Sequence, residues 1–177
     1  MEPGRLVYTQ WLNEVGGIEA DLTVTRLAAD DYLIVTSGEF QVSDFNWLKR
    51  HIPKGAHAVA TDVTSGLATI GIMGPRARDL LSCLTKDDLS NKAFPFGSSR
   101  EIELGYALVR ASRITYVGEL GWELYIPTEF TLGVYDLLVE AGAEYNLRHI
   151  GMHAMNSLRI EKAYRHYGHD ITDNDTP

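Results

Sequence analysis

The stretch Tyr116-Val-Gly-Glu-Leu-Gly-Trp-Glu-Leu-Tyr125 constrains the fold of this chain more than any other. Ala107-Leu-Val-Arg-Ala-Ser-Arg-Ile-Thr115 before it reads as a strand, and Glu123-Leu-Tyr-Ile126 reads as a second that Pro127 ends. The expectation is a hairpin, with Gly118 and Gly121 supplying turn conformations that other residues resist. Alternation then puts Glu123 and Tyr125 on one face and Leu124 and Ile126 on the other. If the aliphatic pair faces the core, Glu123 looks into a cleft or solvent, and Glu119 at the turn is the solvated acid. Two readings stay open. The hairpin is an amphipathic element with surface acids, or it is a wall for a flat, nitrogen-rich ligand. A carboxylate accepts two parallel N–H bonds and rings offer stacking surface.

The rest of the chain also favours hairpins. Leu6–Leu12 alternates apolar and polar residues, Asn13–Gly17 reads as a turn, and Ile18–Leu27 as the returning strand. On that strand Leu22, Val24 and Arg26 share one face, and Asp21, Thr23 and Thr25 the other. Tyr32–Thr36 reads as a third strand after an Asp30-Asp31 turn. Ser43 is the expected cap of a helix to His51, with Phe45 and Leu48 inside. Ala56–Val63 and Leu67–Met73 read as two further strands, and Gly74-Pro-Arg76 as the start of a helix to Leu84. Thr85–Ser99 reads as a connection, and Glu101–Thr115 as one or two strands broken near Gly105. Thr128 is the expected cap of a helix over Glu129–Glu140, with Gly142 as its terminator. A last helix is expected from Gly151 to Tyr167, with Met155, Leu158 and Ala163 in its apolar stripe. Strict strand–helix alternation is absent, so the predicted class is α+β with antiparallel sheets and packed helices.

A length of 177 residues suits one domain or two small packed subdomains. The net charge of −8 argues against general nucleic-acid binding. No apolar run approaches membrane-spanning length, and the opening residues carry no signal-peptide pattern. Cys83 is the only cysteine, which excludes an internal disulfide; set among Leu80, Leu81 and Leu84, it reads as core. Both ends look cut, so a piece of a longer protein is expected.

Several cofactor signatures are missing. There is no G-x-G-x-x-G and no Walker loop. His149 and His153 lie four apart without a zinc-type pattern around them, and no metal site is expected. His166 and His169 carry no signal either. Arg159, Lys162 and Arg165 recur every three residues, either as a solvated basic face or as an anchor for an anionic ligand tail. Asp21 follows a diglycine turn and is either a solvated strand carboxylate or an acid/base group beside a ligand nitrogen.

Three segments together resemble a known family. They are Trp11-Leu-Asn-Glu-Val-Gly-Gly-Ile-Glu-Ala-Asp-Leu-Thr23, Tyr116–Tyr125, and Asn156-Ser-Leu-Arg-Ile-Glu-Lys-Ala-Tyr-Arg165 with Gly168-His-Asp170. In this order they resemble the folate-binding half of the dimethylglycine and sarcosine dehydrogenases, which is similar to the aminomethyltransferase (T-protein) of glycine cleavage. The resemblance covers nearly the whole chain, so residues 1–177 are expected to form one T-protein-like domain of two interlocked subdomains. It implies tetrahydrofolate as cofactor, with FAD held only by another part of the full-length protein.

By the same resemblance Asp21 is the catalytic residue, and Thr23, Tyr116, Glu123, Leu124 and Tyr125 bind the cofactor. The implied activity is capture of the carbon of an iminium, made by a flavin domain, as 5,10-methylenetetrahydrofolate. The arginine that the T-protein places four residues before Arg159 is Met155 here, which favours the dehydrogenase branch. No flavin-binding segment is present, so the chain alone is not expected to oxidise an amine. The implied partners are folate and the iminium, with no nucleic acid or membrane and a homo-oligomer as an option. The compartment is bacterial cytoplasm or mitochondrial matrix. The alternative is a non-catalytic module of the same fold, like the pyruvate dehydrogenase phosphatase regulatory subunit.

Overall fold

The computed structural model describes residues 1–177. They form two compact units, Met1–Val63 with Arg165–Pro177, and Thr64–Tyr164.

In the first unit, β1 (Leu6–Leu12), β2 (Ile18–Arg26) and β3 (Tyr32–Thr36) form an antiparallel sheet in that order. The bounds of β1 and β3 are those expected from alternation. The Asn13 side chain closes the first turn, its carboxamide oxygen accepting the Gly17 N–H at 2.8 Å. Asp21, Thr23 and Thr25 do share a face of β2, but Thr25 is buried at 1% exposure opposite Leu6 at 4%. That face is thus closed at one end and open toward Asp21. Helix α1 (Gln41–His51) grows out of a 3-10 turn at Gly38–Phe40. It therefore begins before Ser43, whose hydroxyl donates back to the Phe40 carbonyl at 2.8 Å instead of capping. Its buried residue is Asp44, bonded by the Thr36 hydroxyl; Phe45 and Leu48 are half-buried. Trp47 stacks on Trp11 of β1 with ring centroids 4.9 Å apart. The strand expected at Ala56–Val63 is irregular chain, with Val59 at 91% exposure. Residues 165–177 return to this unit, where Ile18 N–H donates to the Asp175 carbonyl at 3.0 Å and the Tyr167 hydroxyl to the Ile18 carbonyl at 3.0 Å.

The second unit is a four-stranded antiparallel sheet in the order β4-β7-β6-β5, made of β4 (Leu67–Met73), β5 (Ser99–Leu104), β6 (Ala107–Ser112) and β7 (Gly121–Pro127). Helices α2 (Ala77–Ser82) and α3 (Thr131–Gly142) cover one face through Leu80, Leu81, Val134 and Leu138, which meet Val109, Ala111, Trp122, Leu124 and Ile126. Removing one such aliphatic side chain to Ala costs about 2–5 kcal/mol.

Local chemistry moves several expected ends. Thr128 does not cap α3; its hydroxyl donates to the Ser65 carbonyl at 2.9 Å, and a 3-10 turn leads into the helix. Gly142 is the last helical residue, and left-handed Asn146 ends the turn that follows. The last helix, α4, spans only Met152–Glu161, because the chain reverses at Ala163 (φ 57°), whose N–H bonds the Ile160 carbonyl at 2.8 Å. Ala163 is thus exposed rather than part of an apolar stripe. Cys83 is exposed too, its Sγ 2.7 Å from the Tyr145 hydroxyl.

The central hairpin forms, with Ala111 opposite Leu124 and Ser112 opposite Glu123. Its two glycines differ. Gly118 takes φ +73°, and a Cβ there would run into the Lys162 side chain. Gly121 is no turn residue but the first of β7, where a Cβ would lie 2.7 Å from Met73 Cγ and 2.9 Å from the Ile72 carbonyl. Gly71 in β4 has nothing nearer than Met73 Cε at 3.6 Å. Gly121→Ala is therefore expected to lower stability by about 1–3 kcal/mol, since a backbone atom stands in the way, while Gly71→Ala is tolerated. Thermal melts of the two variants check this, and equal melting temperatures would refute the close-approach account.

Candidate functional site

Glu123 stands on the inner strand β7, between Gly71 of β4 and Ser112 of β6. Its sequence neighbours Trp122 and Leu124 are 0% exposed in the core, so pleating turns Glu123 to the opposite face. Both cross-strand neighbours are small, and Ser112 is engaged with Ser99 through a 3.0 Å hydroxyl bond. The Tyr125 hydroxyl donates to Glu123 Oε2 at 2.6 Å. Burial raises the Glu123 carboxyl above its ordinary range, partly offset by that bond. Burial and the adjacent carboxylate push Tyr125 well above the usual phenol range, so its hydroxyl stays a donor. Glu119 is exposed, as expected.

Tyr116 lies in the loop between β6 and β7. The Val117 N–H donates to the Thr115 hydroxyl at 3.2 Å, and the Thr115 hydroxyl reaches Met73 Sδ at 3.6 Å, which ties the loop to the end of β4. On the other side the Arg159 guanidinium carbon is 6.0 Å from the Tyr116 ring centroid. Arg159 is 3% exposed, with Nε donating to Asn156 at 2.9 Å and Nη1 to the Tyr164 carbonyl at 2.8 Å. Of the repeat read as either a solvated basic face or an anchor for an anionic tail, only Lys162 and Arg165 are exposed. The early end of α4 curls the Tyr164 carbonyl back over Arg159, and sequence spacing carries no sign of that.

Asp21 and Thr23 lie on β2 of the first unit and are half-buried. Gln10, opposite Asp21 on β1, donates to its Oδ1 at 3.2 Å; Tyr8 lies opposite Thr23 and also bonds Asp21. Burial raises the Asp21 carboxyl, against the lowering effect of the Tyr8 and Gln10 bonds and of nearby His166. A carboxyl moved toward neutral pH is suited to accept and return a proton. Tyr8 and Gln10 were missed as its partners, although the register set by the Asn13–Gly17 turn would have found them.

The structure thus brings Glu123 into contact with Tyr125, and Tyr116 with Arg159, within one unit. It sets Asp21 and Thr23 on one strand face in the other. The Leu124 side chain does not join the wall carrying Glu123; it packs in the core behind it. Trp122 is also core, its ring centroid 5.8 and 4.9 Å from the Arg78 and Arg113 guanidinium carbons.

Two antiparallel sheets with packed helices match the fold of a solved aminomethyltransferase. The crystal structure of glycine cleavage system aminomethyltransferase T from Bartonella henselae superposes with a TM-score of 0.81 at 25% identity, over 100% of this chain and 46% of that one. The chain belongs to the GCVT N-terminal domain family, which matches residues 1–177. It is 43% identical to 4-methylaminobutanoate oxidase (formaldehyde-forming) of Paenarthrobacter nicotinovorans, over 100% of this chain and 21% of that protein. It is 39% identical to mitochondrial sarcosine dehydrogenase of Mus musculus, over 99% of this chain and 21% of that protein. It is 36% identical to the mitochondrial pyruvate dehydrogenase phosphatase regulatory subunit of Mus musculus, over 98% and 20% respectively. The chain therefore spans about a fifth of the length of these relatives. No helix is long and apolar enough to cross a membrane.

The raised Glu123 carboxyl sets a pH dependence. The folded state holds the Glu123 proton more tightly than the unfolded chain, so stability falls as pH rises from the ordinary value of 4.5 through the raised one. Glu123→Gln keeps an acceptor for Tyr125 and removes the buried charge. It is expected to raise the melting temperature at pH 7 by roughly 2–4 °C, the effect of about 1 kcal/mol in a chain of this size. At pH 4 and below the gain should vanish. Melting curves at both pH values check this, and a pH-independent difference would contradict it.

Proposed function

We propose that this chain is the tetrahydrofolate-binding, one-carbon-transfer module of a flavin-linked dehydrogenase of the dimethylglycine and sarcosine type. The observation that carries the reading is the Glu123 carboxylate, half-buried on the non-core face of β7 and backed by the Tyr125 hydroxyl at 2.6 Å. A carboxylate so placed is costly unless paired N–H donors meet it. The 2-amino group and ring N–H of a reduced pterin are such a pair, so the residues present fit the group. Tyr116, steadied by Arg159, offers a ring for stacking, and Leu124 supports the wall from the core side. Tetrahydrofolate, when bound, supplies the nitrogens that take up the one-carbon unit and yield 5,10-methylenetetrahydrofolate. Asp21, positioned by Gln10 and Tyr8 and with Thr23 on the same strand face, is the group proposed to hold and move the proton. Excluding water protects the iminium from hydrolysis to formaldehyde. FAD and amine oxidation are assigned outside these residues, and the compartment to bacterial cytoplasm or mitochondrial matrix.

Two relatives define the competing reading. One is a regulatory subunit at 36% identity, and another is named for forming formaldehyde. In a non-catalytic module of this fold, the chain would fold and pair with a protein partner without taking up folate.

Calorimetric titration with tetrahydrofolate separates the two, and is preferable to fluorescence because Trp122 is core. Saturable binding that weakens about tenfold or more, ~1.4 kcal/mol, in Glu123→Ala is expected. A folded chain that takes up no folate, or one indifferent to Glu123→Ala, favours the regulatory reading. In the flavin-linked protein, Asp21→Asn should leave amine oxidation intact while the carbon appears as formaldehyde rather than methylenetetrahydrofolate. Unchanged partition between the two products would remove Asp21 from the proposal.

A further inference from the structure

The returning segment of the first unit carries a feature that folate binding does not use. Glu39, His166 and His169 each present one ligand atom, a carboxylate oxygen and two imidazole nitrogens, all within 4.8 Å of one another. We propose that these three residues form a site for a divalent transition-metal ion of the zinc type.

Donor chemistry selects the ion. Two imidazoles and one carboxylate suit Zn²⁺ and its borderline neighbours and disfavour Ca²⁺ or Mg²⁺, which take oxygen-rich sets. Donors about 2.1 Å from a tetrahedral ion stand roughly 3.4 Å apart. Small rotations of three side chains close the present spread to that distance. Three protein ligands leave a fourth position for water. Glu39 and His169 are exposed and His166 half-buried, so an ion can enter from solvent.

The backbone holds the donors in place. The His166 N–H donates to Asp170 Oδ2 at 2.8 Å, and the N–H groups of His169 and Asp170 donate to the His166 carbonyl at 3.2 and 2.8 Å. This tight turn sets the two imidazoles edge to face, with centroids 4.5 Å apart. Asp170 is occupied by the turn and is not counted as a ligand. Gly168 brings the turn against the Glu39 side: its φ is +87°, and a Cβ would lie 2.8 Å from Phe40 Cζ. Phe40 and Tyr167 also pack with centroids 5.1 Å apart. Phe40 follows Glu39, and Tyr167 follows His166, so the contact that seats the aromatic pair also seats the donors. A bound ion would clamp the returning segment to the Gly38–Phe40 turn.

The test uses the untagged chain after removal of metal with a chelator. Zn²⁺ is titrated by calorimetry, and Co²⁺ by its visible d–d absorption. One equivalent of Zn²⁺ is expected, with the intense bands of low-coordinate Co²⁺ and a rise in melting temperature. His169→Asn and Glu39→Gln change exposed side chains; each should weaken binding about tenfold or more with an unchanged circular dichroism spectrum. His57→Ala and His153→Ala, at exposed histidines elsewhere, should leave it unchanged. Absence of saturable binding, or binding that His169→Asn and Glu39→Gln leave within about twofold of the parent, overturns the proposal. Folate binding plays no part in these readouts, so the site stands or falls apart from the function proposed above.

Discussion

The organisation of the second unit depends on β7 having two unlike faces. Trp122, Leu124 and Ile126 fill the core against α2 and α3, and each is 0% exposed. Because the strand is paired on both edges, its register cannot slip without carrying three large apolar side chains to the other face. Glu123 is thereby fixed opposite the core as firmly as if it were packed there. Its raised carboxyl is a consequence of its own burial on that face. Tyr125 continues the same alternation, and at 3% exposure it brings a donor to the carboxylate without leaving the sheet.

The elements legible in the sequence were those whose periodicity reports a local contact. β1 and β3 could be bounded, and β2 placed to within one residue, from alternation and turn residues, and the face shared by Glu123 and Tyr125 followed from alternation. What failed had non-local causes. Ser43 and Thr128 are good caps in isolation, but one lies within its helix and the other bonds the Ser65 carbonyl across the unit. Ala56–Val63 has strand composition and no strand beside it to pair with. Gly121 has the composition of a turn, yet it is required by the close approach of β4, which only the sheet order explains. Arg159 shows the same limit. Its charge spacing matches a solvated stripe, and only the reversal after α4 buries it.

The site divides along similar lines. The residue types and their order pointed to the family, while the pairings within each unit needed coordinates. Glu123 with Tyr125 could be read from alternation, and Asp21 with Gln10 from the hairpin register. Tyr116 with Arg159 could not, since a loop and a helix end meet there by tertiary packing. Leu124 entered the ligand set through the family resemblance, and strand pleating turns its side chain into the core.

Asp21 and Glu123 reach raised carboxyls by different routes. Glu123 is desolvated by its own burial, and its protein donor, Tyr125, is held neutral. That leaves a carboxylate with acceptor capacity to spare, as recognition of a donor pair requires. Asp21 lies toward the open end of its strand face, with Gln10 and Tyr8 already bonded to it and His166 nearby. Burial raises its carboxyl, and the Tyr8 and Gln10 bonds and nearby His166 act in the opposite direction. The two carboxyls thus differ in their donors: one phenol hydroxyl at Glu123, a carboxamide and a phenol at Asp21.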